Sequence, residues 1–525
     1  MAEYSVLIKN ADVHKDRKFS RMDVAIKGDA IADTGDLTGA NAKTIIDATG
    51  KIITPGFIDI TNHSDTHWTL FNAPGQESML LQGVTTIIGG NCGSSLAPLV
   101  KGEDIEGIQK WVNIRDININ WRRVSELLSE LSRRSLGVNF GALVGHGTLR
   151  RGIVGDESRP ANREEISEME ILLRESMDEG AFGMSTALGA AHGRGTAKEE
   201  LLRLFKVVSK EEGITKHHLK DEGRNIMPAI VELIDVFHES GGKMQFSHFK
   251  VLGRQSWNSF NDALALIESA RSEGARLTID FFPYTKTGSL LYQLLPPWIL
   301  EDGKEKILFS LHDRAKRREV IDYLSSLTLH YDKIIVASAF EDKTVLGKTI
   351  SDLASRAGIS PEECLIKMIE INGLGVSIFN EVISSDHLSA LASKDYSMFA
   401  TDGEGRSWPK TGMDFDSPHP RSLGAMIKAI ENYASGKSKL ALGEVIYKLT
   451  EFPADVLGIK NRGKIEKGYY ADLVILDPAS LHAPSDYKDP YLRNEGVEAV
   501  YVNGELAAKS GEVTGKLAGR VIRKL

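Results

Sequence analysis

Through the middle of this chain, short apolar runs alternate with longer stretches in which apolar residues recur every three or four positions. The runs at 56–60, 84–89, 138–144, 183–187, 214–218, 243–248, 277–282 and 398–401 predict strands. Helical periodicity at 121–133, 163–179, 198–212, 228–240 and 259–273 fills several of the gaps between them. Strand and helix in this order predict an α/β fold with parallel strands, arranged as a (β/α)8 TIM barrel over residues 55–454. The two ends differ in style. Short strands are expected at 5–9, 23–27 and 43–47, with turns at Gly28-Asp29 and Thr38-Gly39, and again at 472–476 and 497–502 before the turn Asn503-Gly504. One small sheet domain, built from both chain termini (1–54 plus 455–525), accounts for them. The gap from Tyr284 to Met398 is too long for one strand–helix unit. It holds Leu295-Pro296-Pro297-Trp298 and a charged helical stretch at 313–325, and reads as an insertion after strand 7 (about 286–396) beside the barrel mouth, where it could cover a substrate.

Polar residues stand at or just past the predicted strand ends: His63, Cys92, His146, His218, His248, Tyr284 and Asp402. In such barrels the active site lies at the C-terminal ends of the strands, so their placement points to chemistry. Cys92, in Gly89-Gly90-Asn91-Cys92-Gly93, could be a soft metal ligand or a small buried apolar residue. Neighbouring His217 and His218 point to opposite faces, so at most one enters the barrel. His248 and Lys250 lie in phase on the next strand. Cys92 and two histidines would leave one open position, the arrangement of a catalytic zinc site. Asp402 could take a proton from an attacking water and pass it to a leaving group. Lys250, Tyr284 and Arg421 are candidate anchors for a substrate anion, arginine because its planar fork can bond both carboxylate oxygens.

The net charge of −8 and the lack of a long basic run argue against nucleic acid or an anionic membrane as partner. Two cysteines, Cys92 and Cys364, argue against a disulfide framework and fit a reducing cytoplasm. The N-terminal residues lack a basic segment followed by a long apolar one. A cytoplasmic location is expected.

Several ordered fragments resemble the N-acyl-D-amino-acid deacylases (D-aminoacylases) of the amidohydrolase superfamily. They are Gly56-Phe57-Ile58-Asp59, Gln82-Gly83-Val84-Thr85-Thr86, Gly89-Gly90-Asn91-Cys92-Gly93 and His218-Leu219-Lys220-Asp221-Glu222. Further along come Ser247-His248-Phe249-Lys250, Ile279-Asp280-Phe281-Phe282-Pro283-Tyr284, Leu295-Pro296-Pro297-Trp298, Thr401-Asp402-Gly403 and His419-Pro420-Arg421. The resemblance implies a barrel with a small β-sandwich, a zinc ion held by Cys92, His218 and His248, and Asp402 as catalytic acid/base. It implies hydrolysis of an N-acyl amino acid, a small-molecule substrate, to a carboxylate and a free D-amino acid. His63 would polarise the amide carbonyl, and Lys250, Tyr284 and Arg421 would hold the amino acid's carboxylate.

The sequence departs from that family at one chemically important place. The first strand there usually ends in His-x-His and helps to hold a second, weaker metal, whereas here it reads Thr61-Asn62-His63. One tightly bound zinc is expected, with the second position left open by Thr61, and Thr61→His is expected to increase uptake there. Lys220 also stands where the family commonly has Arg, and the two are not interchangeable. A cyclic-amide hydrolase of the dihydropyrimidinase or dihydroorotase type would use a carboxylated lysine on the fourth strand, and Gly183-Met184-Ser185-Thr186-Ala187 contains none. A non-catalytic ligand-binding barrel is the other alternative. Acyl group, side-chain preference and oligomeric state stay open.

Overall fold

The computed structural model describes residues 3–524 apart from 103, 106–116, 156, 191, 301–303, 328, 340, 409–416 and 436–439. Two parallel sheets lie at its centre. One runs Phe57–Asp59, Val84–Gly89, Asn139–Ala142; the other runs Val144–Gly145, Gly183–Ala187, Ile214–His218, Lys243–Phe246, Arg276–Phe281, Ser397–Phe399. They share a chain segment, since Asn139–Ala142 continues into Val144–Gly145 and the Ala142 carbonyl accepts from Phe182 N at 2.8 Å. At the far side, just beyond the first and last strands, Asp402 N donates to Thr61 O at 3.0 Å and His63 N donates to Gly403 O at 2.8 Å. Those two bonds bring the ends of the first and eighth strands of the alternating series together.

The helices between strands follow their apolar periodicity. Arg163–Asp178 buries Ile166, Met169, Leu173 and Met177 along one face. It starts at Asn162, whose side chain accepts from Glu165 N at 2.9 Å while Glu165 accepts from Asn162 N at 2.7 Å, a reciprocal cap.

Both chain termini build one antiparallel-rich sheet. Tyr4–Lys15 pairs with Lys18–Lys27 across a two-residue turn, Asp16-Arg17, with both φ positive (51° and 61°) as a tight hairpin requires. From the other end Leu473–Leu476 pairs with Ile52–Pro55. Strands Ala30–Gly35, Ile52–Pro55 and Glu505–Lys509 in this sheet are additional to those the sequence pattern predicts. Asp472 fastens the sheet to the parallel strands: its carbonyl accepts from Gly56 N at 2.8 Å, and its carboxylate accepts from Asn139 Nδ2 at 3.1 Å and from buried Arg462. The strand that leads to Thr61 and His63, Phe57–Asp59, therefore enters the molecule from a fixed point.

The long segment after Arg276–Phe281 carries its own three-stranded antiparallel sheet, Lys286–Leu290, Ser377–Glu381 and Ile334–Ser338. A separate apolar cluster including Leu291, Leu311, Val320, Leu365 and Ile369 supports it. It touches the chain just before Arg421, where Ser417 N donates to Ala337 O at 3.1 Å and His419 Nε2 lies 3.0 Å from Lys286 O. Among the described residues, no helix is long and apolar enough to cross a membrane.

Candidate metal centre

Cys92, His248 and Asp402 lie at or beyond the ends of different strands, and each has a left-handed backbone (φ 51°, 38° and 50°). That conformation costs a non-glycine residue roughly 1–3 kcal/mol and persists only where the surroundings enforce it. The turn bearing Cys92 shows the enforcement. Gly90 has φ 77°, and a Cβ on it would lie 2.0 Å from the Leu143 carbonyl oxygen, so only glycine fits. Its N–H donates to Asp65 at 2.6 Å, and Gly93 N donates to Ser185 Oγ at 2.9 Å. Asn91 Nδ2 closes the turn on Ile88 O at 2.8 Å.

His218 faces Cys92 and His248, and His217 points to the opposite side of the strand. The His217 ring packs 5.0 Å from Phe205, with Nδ1 2.8 Å from Thr186 Oγ1. On the next strand His248 Nε2 lies 3.2 Å from Cys92 Sγ and 3.0 Å from His218 Nδ1. Asp280 accepts from the His248 backbone N–H at 2.8 Å, and Glu222 Oε1 lies 3.1 Å from His248 Nδ1. These two carboxylates fix both the backbone and the ring. A second group adjoins the first: His63 Nε2 lies 3.1 Å from Asp402 Oδ1 and 3.9 Å from Cys92 Sγ.

The donor atoms of Cys92, His218 and His248 all lie within 4.8 Å of one another, as do those of His63, Cys92 and Asp402. Protons can bridge only some of these lone pairs, whereas one borderline-soft dication accepts from all three atoms of the first set. The residues present therefore fit a metal ion. Burial pushes the Cys92 thiol up, but His248 and hydrogen bonds from His218, His248 and His63 outweigh it and hold the group well below the usual thiol range. Burial likewise pushes Asp402 up, and Arg421, His248 and His63 hold it well below the usual carboxylate range. These neighbours thus favour the charged carboxylate form of Asp402. Burial and Lys250 work against a charge on His248, yet Asp402 and Cys92 lift it to about 10. Burial opposes protonation of His63 too, and Asp402 and Cys92 raise it to about 9. A metal ion binding here would displace such protons.

The three candidate anchors end in different situations. Arg421 Nη1 donates to Asp402 Oδ2 at 2.5 Å, its guanidinium stacks 4.8 Å from the Phe282 ring, and its buried Nε lacks a hydrogen-bond partner among the described residues. Tyr284 is buried next to it, its hydroxyl donating to Pro420 O at 3.4 Å. Lys250 is buried on Glu222 at 2.7 Å, with further contacts to His248 Nδ1 at 2.9 Å and His248 O at 3.1 Å. His146 does not join the site as its strand-end position suggests. It lies 2.6 Å from Glu200, which also binds buried Arg150, in a separate internal ion-pair network.

Sequence reasoning missed Glu222, Asp280 and Lys216 as parts of the site. Glu222 follows His218 by four residues, and Lys216 precedes it by two, in phase on the same strand; those spacings were the available signals. Glu222→Gln is expected to weaken metal affinity by about 10–100-fold, the usual cost of losing a carboxylate that orients a ligating imidazole. Competition against a chromophoric chelator measures it, and unchanged affinity would show that Lys250 alone orients the ring.

A nitrogen-and-sulfur donor set that could hold a metal ion, beside a carboxylate at the carboxyl ends of parallel strands, fits a metal-dependent hydrolase. The profile of the amidohydrolase family matches residues 44–225 and 414–508, more than half of the chain, and the chain belongs to that family. It is 28% identical over 506 residues to the D-aminoacylase of Alcaligenes xylosoxydans xylosoxydans, covering 96% of this chain and 94% of that protein. It is likewise 28% identical over 503 residues to the N-acyl-D-aspartate deacylase of the same organism, covering 94% and 89%. A solved D-aminoacylase, described as having a binuclear metal centre with one-metal activation and second-metal attenuation, is 25% identical. It superposes with a TM-score of 0.81 over 99% of this chain and 100% of that one.

Proposed function

We propose that this amidohydrolase cleaves the amide bond of N-acyl-D-amino acids, releasing a carboxylate and a free D-amino acid, with one zinc ion held by Cys92, His218 and His248. The observation that carries the reading is the convergence of those three donors, within 4.8 Å, next to an ionised Asp402. Similarity to the D-aminoacylase along nearly the whole of both chains supports the linear amide and the D configuration. In this reading the parallel strands close into a (β/α)8 barrel spanning 55–454, the insertion of about 286–396 flanks its mouth, and 1–54 with 455–525 form a small β-sandwich.

When bound, zinc supplies the Lewis acidity that activates water and polarises an amide at neutral pH. Asp402 accepts the proton of the attacking water and returns it to the departing nitrogen. His63, held 3.1 Å from Asp402, polarises the amide carbonyl and stabilises the negative charge that develops on it. Arg421 keeps Asp402 ionised through Nη1 and offers Nε to the substrate carboxylate, with the Tyr284 hydroxyl alongside. Lys250 Nζ already has three partners, so its contribution is positive potential rather than a free donor.

A screen of amine release over N-acetyl-D- and N-acetyl-L-amino acids tests the reading. Release from one or more D substrates is expected, with little from their L counterparts. No release from any N-acyl amino acid by zinc-loaded protein would overturn it.

A further inference from the structure

We infer that Lys216 and Thr61 act as a pair that closes the second metal position and limits this centre to one ion. The inference rests on the reading of Cys92, His218 and His248 as zinc ligands. Lys216 shares the inward face of its strand with His218, and its side chain crosses the interior to the first strand. There Nζ donates to Ile60 O at 2.5 Å and to Thr61 Oγ1 at 2.7 Å, with no exposure to solvent. Thr61 Oγ1 in turn commits its own proton to Asp280 Oδ2 at 2.8 Å, and Lys216 Nζ lies 3.8 Å from that same oxygen. The hydroxyl is therefore locked between a cation and an anion.

Thr61 stands two residues before His63 and its carbonyl accepts from Asp402 N at 3.0 Å, so the locked pair adjoins the second metal-capable group, His63, Cys92 and Asp402. Lys216 Nζ, 3.8 Å from Asp280 Oδ2, already draws on a buried carboxylate beside the place that a second dication would fill. That ion would have to enter beside a buried ammonium, where like charges are poorly screened. The first strand by itself leads to the expectation that Thr61→His increases uptake, but with Lys216 Nζ held at that place the substitution restores a ligand without restoring the position.

Zinc counting on folded protein decides this. Wild type, Thr61→His, Lys216→Met and the double variant Thr61→His/Lys216→Met are stripped with chelator, equilibrated with buffered zinc, desalted and analysed by mass spectrometry, with circular dichroism confirming the fold. Wild type and Thr61→His are expected to hold about one equivalent, and the double variant about two. If Thr61→His alone reaches two, or the folded double variant stays at one, the inference is overturned. Should either Lys216→Met variant fail to fold, the Thr61→His count still decides: about one supports the pair, about two sinks it. A wild type that takes up no zinc overturns the ligand reading as well, so the two failures are distinguishable.

Discussion

Asp402→Asn is expected to lower kcat by about 10²–10⁴-fold, the usual contribution of a positioned proton carrier, while zinc content stays unchanged. The asparagine preserves shape, and its carbonyl can still accept from Arg421, which now bonds Asp402 Oδ2 at 2.5 Å. It cannot take up a proton. Asp402 is also outside the Cys92, His218 and His248 set, so the tight metal should remain. KM should move little if Arg421 holds the substrate carboxylate, whereas a merely structural role would change metal content, KM and thermal stability together. Steady-state kinetics beside elemental analysis separates these cases. Full turnover in the variant would remove Asp402 from the chemistry.

The second large effect belongs to Cys92→Ala. Zinc affinity should fall by more than the ~10–100-fold that loss of an outer partner costs, because the proposed site makes the sulfur itself a donor. The two remaining rings, with ring nitrogens 3.0 Å apart, would lose the thiolate that supports positive charge between them. Activity at limiting zinc should vanish and recover partly at high zinc. Wild-type affinity in the variant would mean that the metal sits elsewhere.

Much of this site was legible in the sequence because strand periodicity is strict. Val84–Gly89, Gly183–Ala187 and Ile214–His218 have the very bounds that the pattern predicts. Strand-end positions then pointed to Cys92, His248 and one of His217 and His218, and the family resemblance chose His218. Turn chemistry was less visible. The Asp16-Arg17 hairpin lacks glycine, so two longer strands, Tyr4–Lys15 and Lys18–Lys27, read as fragments. The sheet within 286–396 pairs strands whose register depends on long-range contacts with a core of its own. Lys216 was the least predictable. A lysine in an apolar strand gives no hint of its partner, and only the first strand lying across from it reveals why it is fully buried. His146 misled for the converse reason, since a strand-end histidine can be claimed by a carboxylate on a helix, here Glu200.

The most direct test of the central claim follows amine release from an N-acetyl-D-amino acid as zinc is added back to chelator-stripped wild type. Release should be absent without metal, rise in proportion to zinc and level off at about one equivalent per chain, with the L enantiomer far slower. Release that persists in stripped protein, or zinc uptake of about one equivalent with no hydrolysis of either enantiomer, would contradict the account.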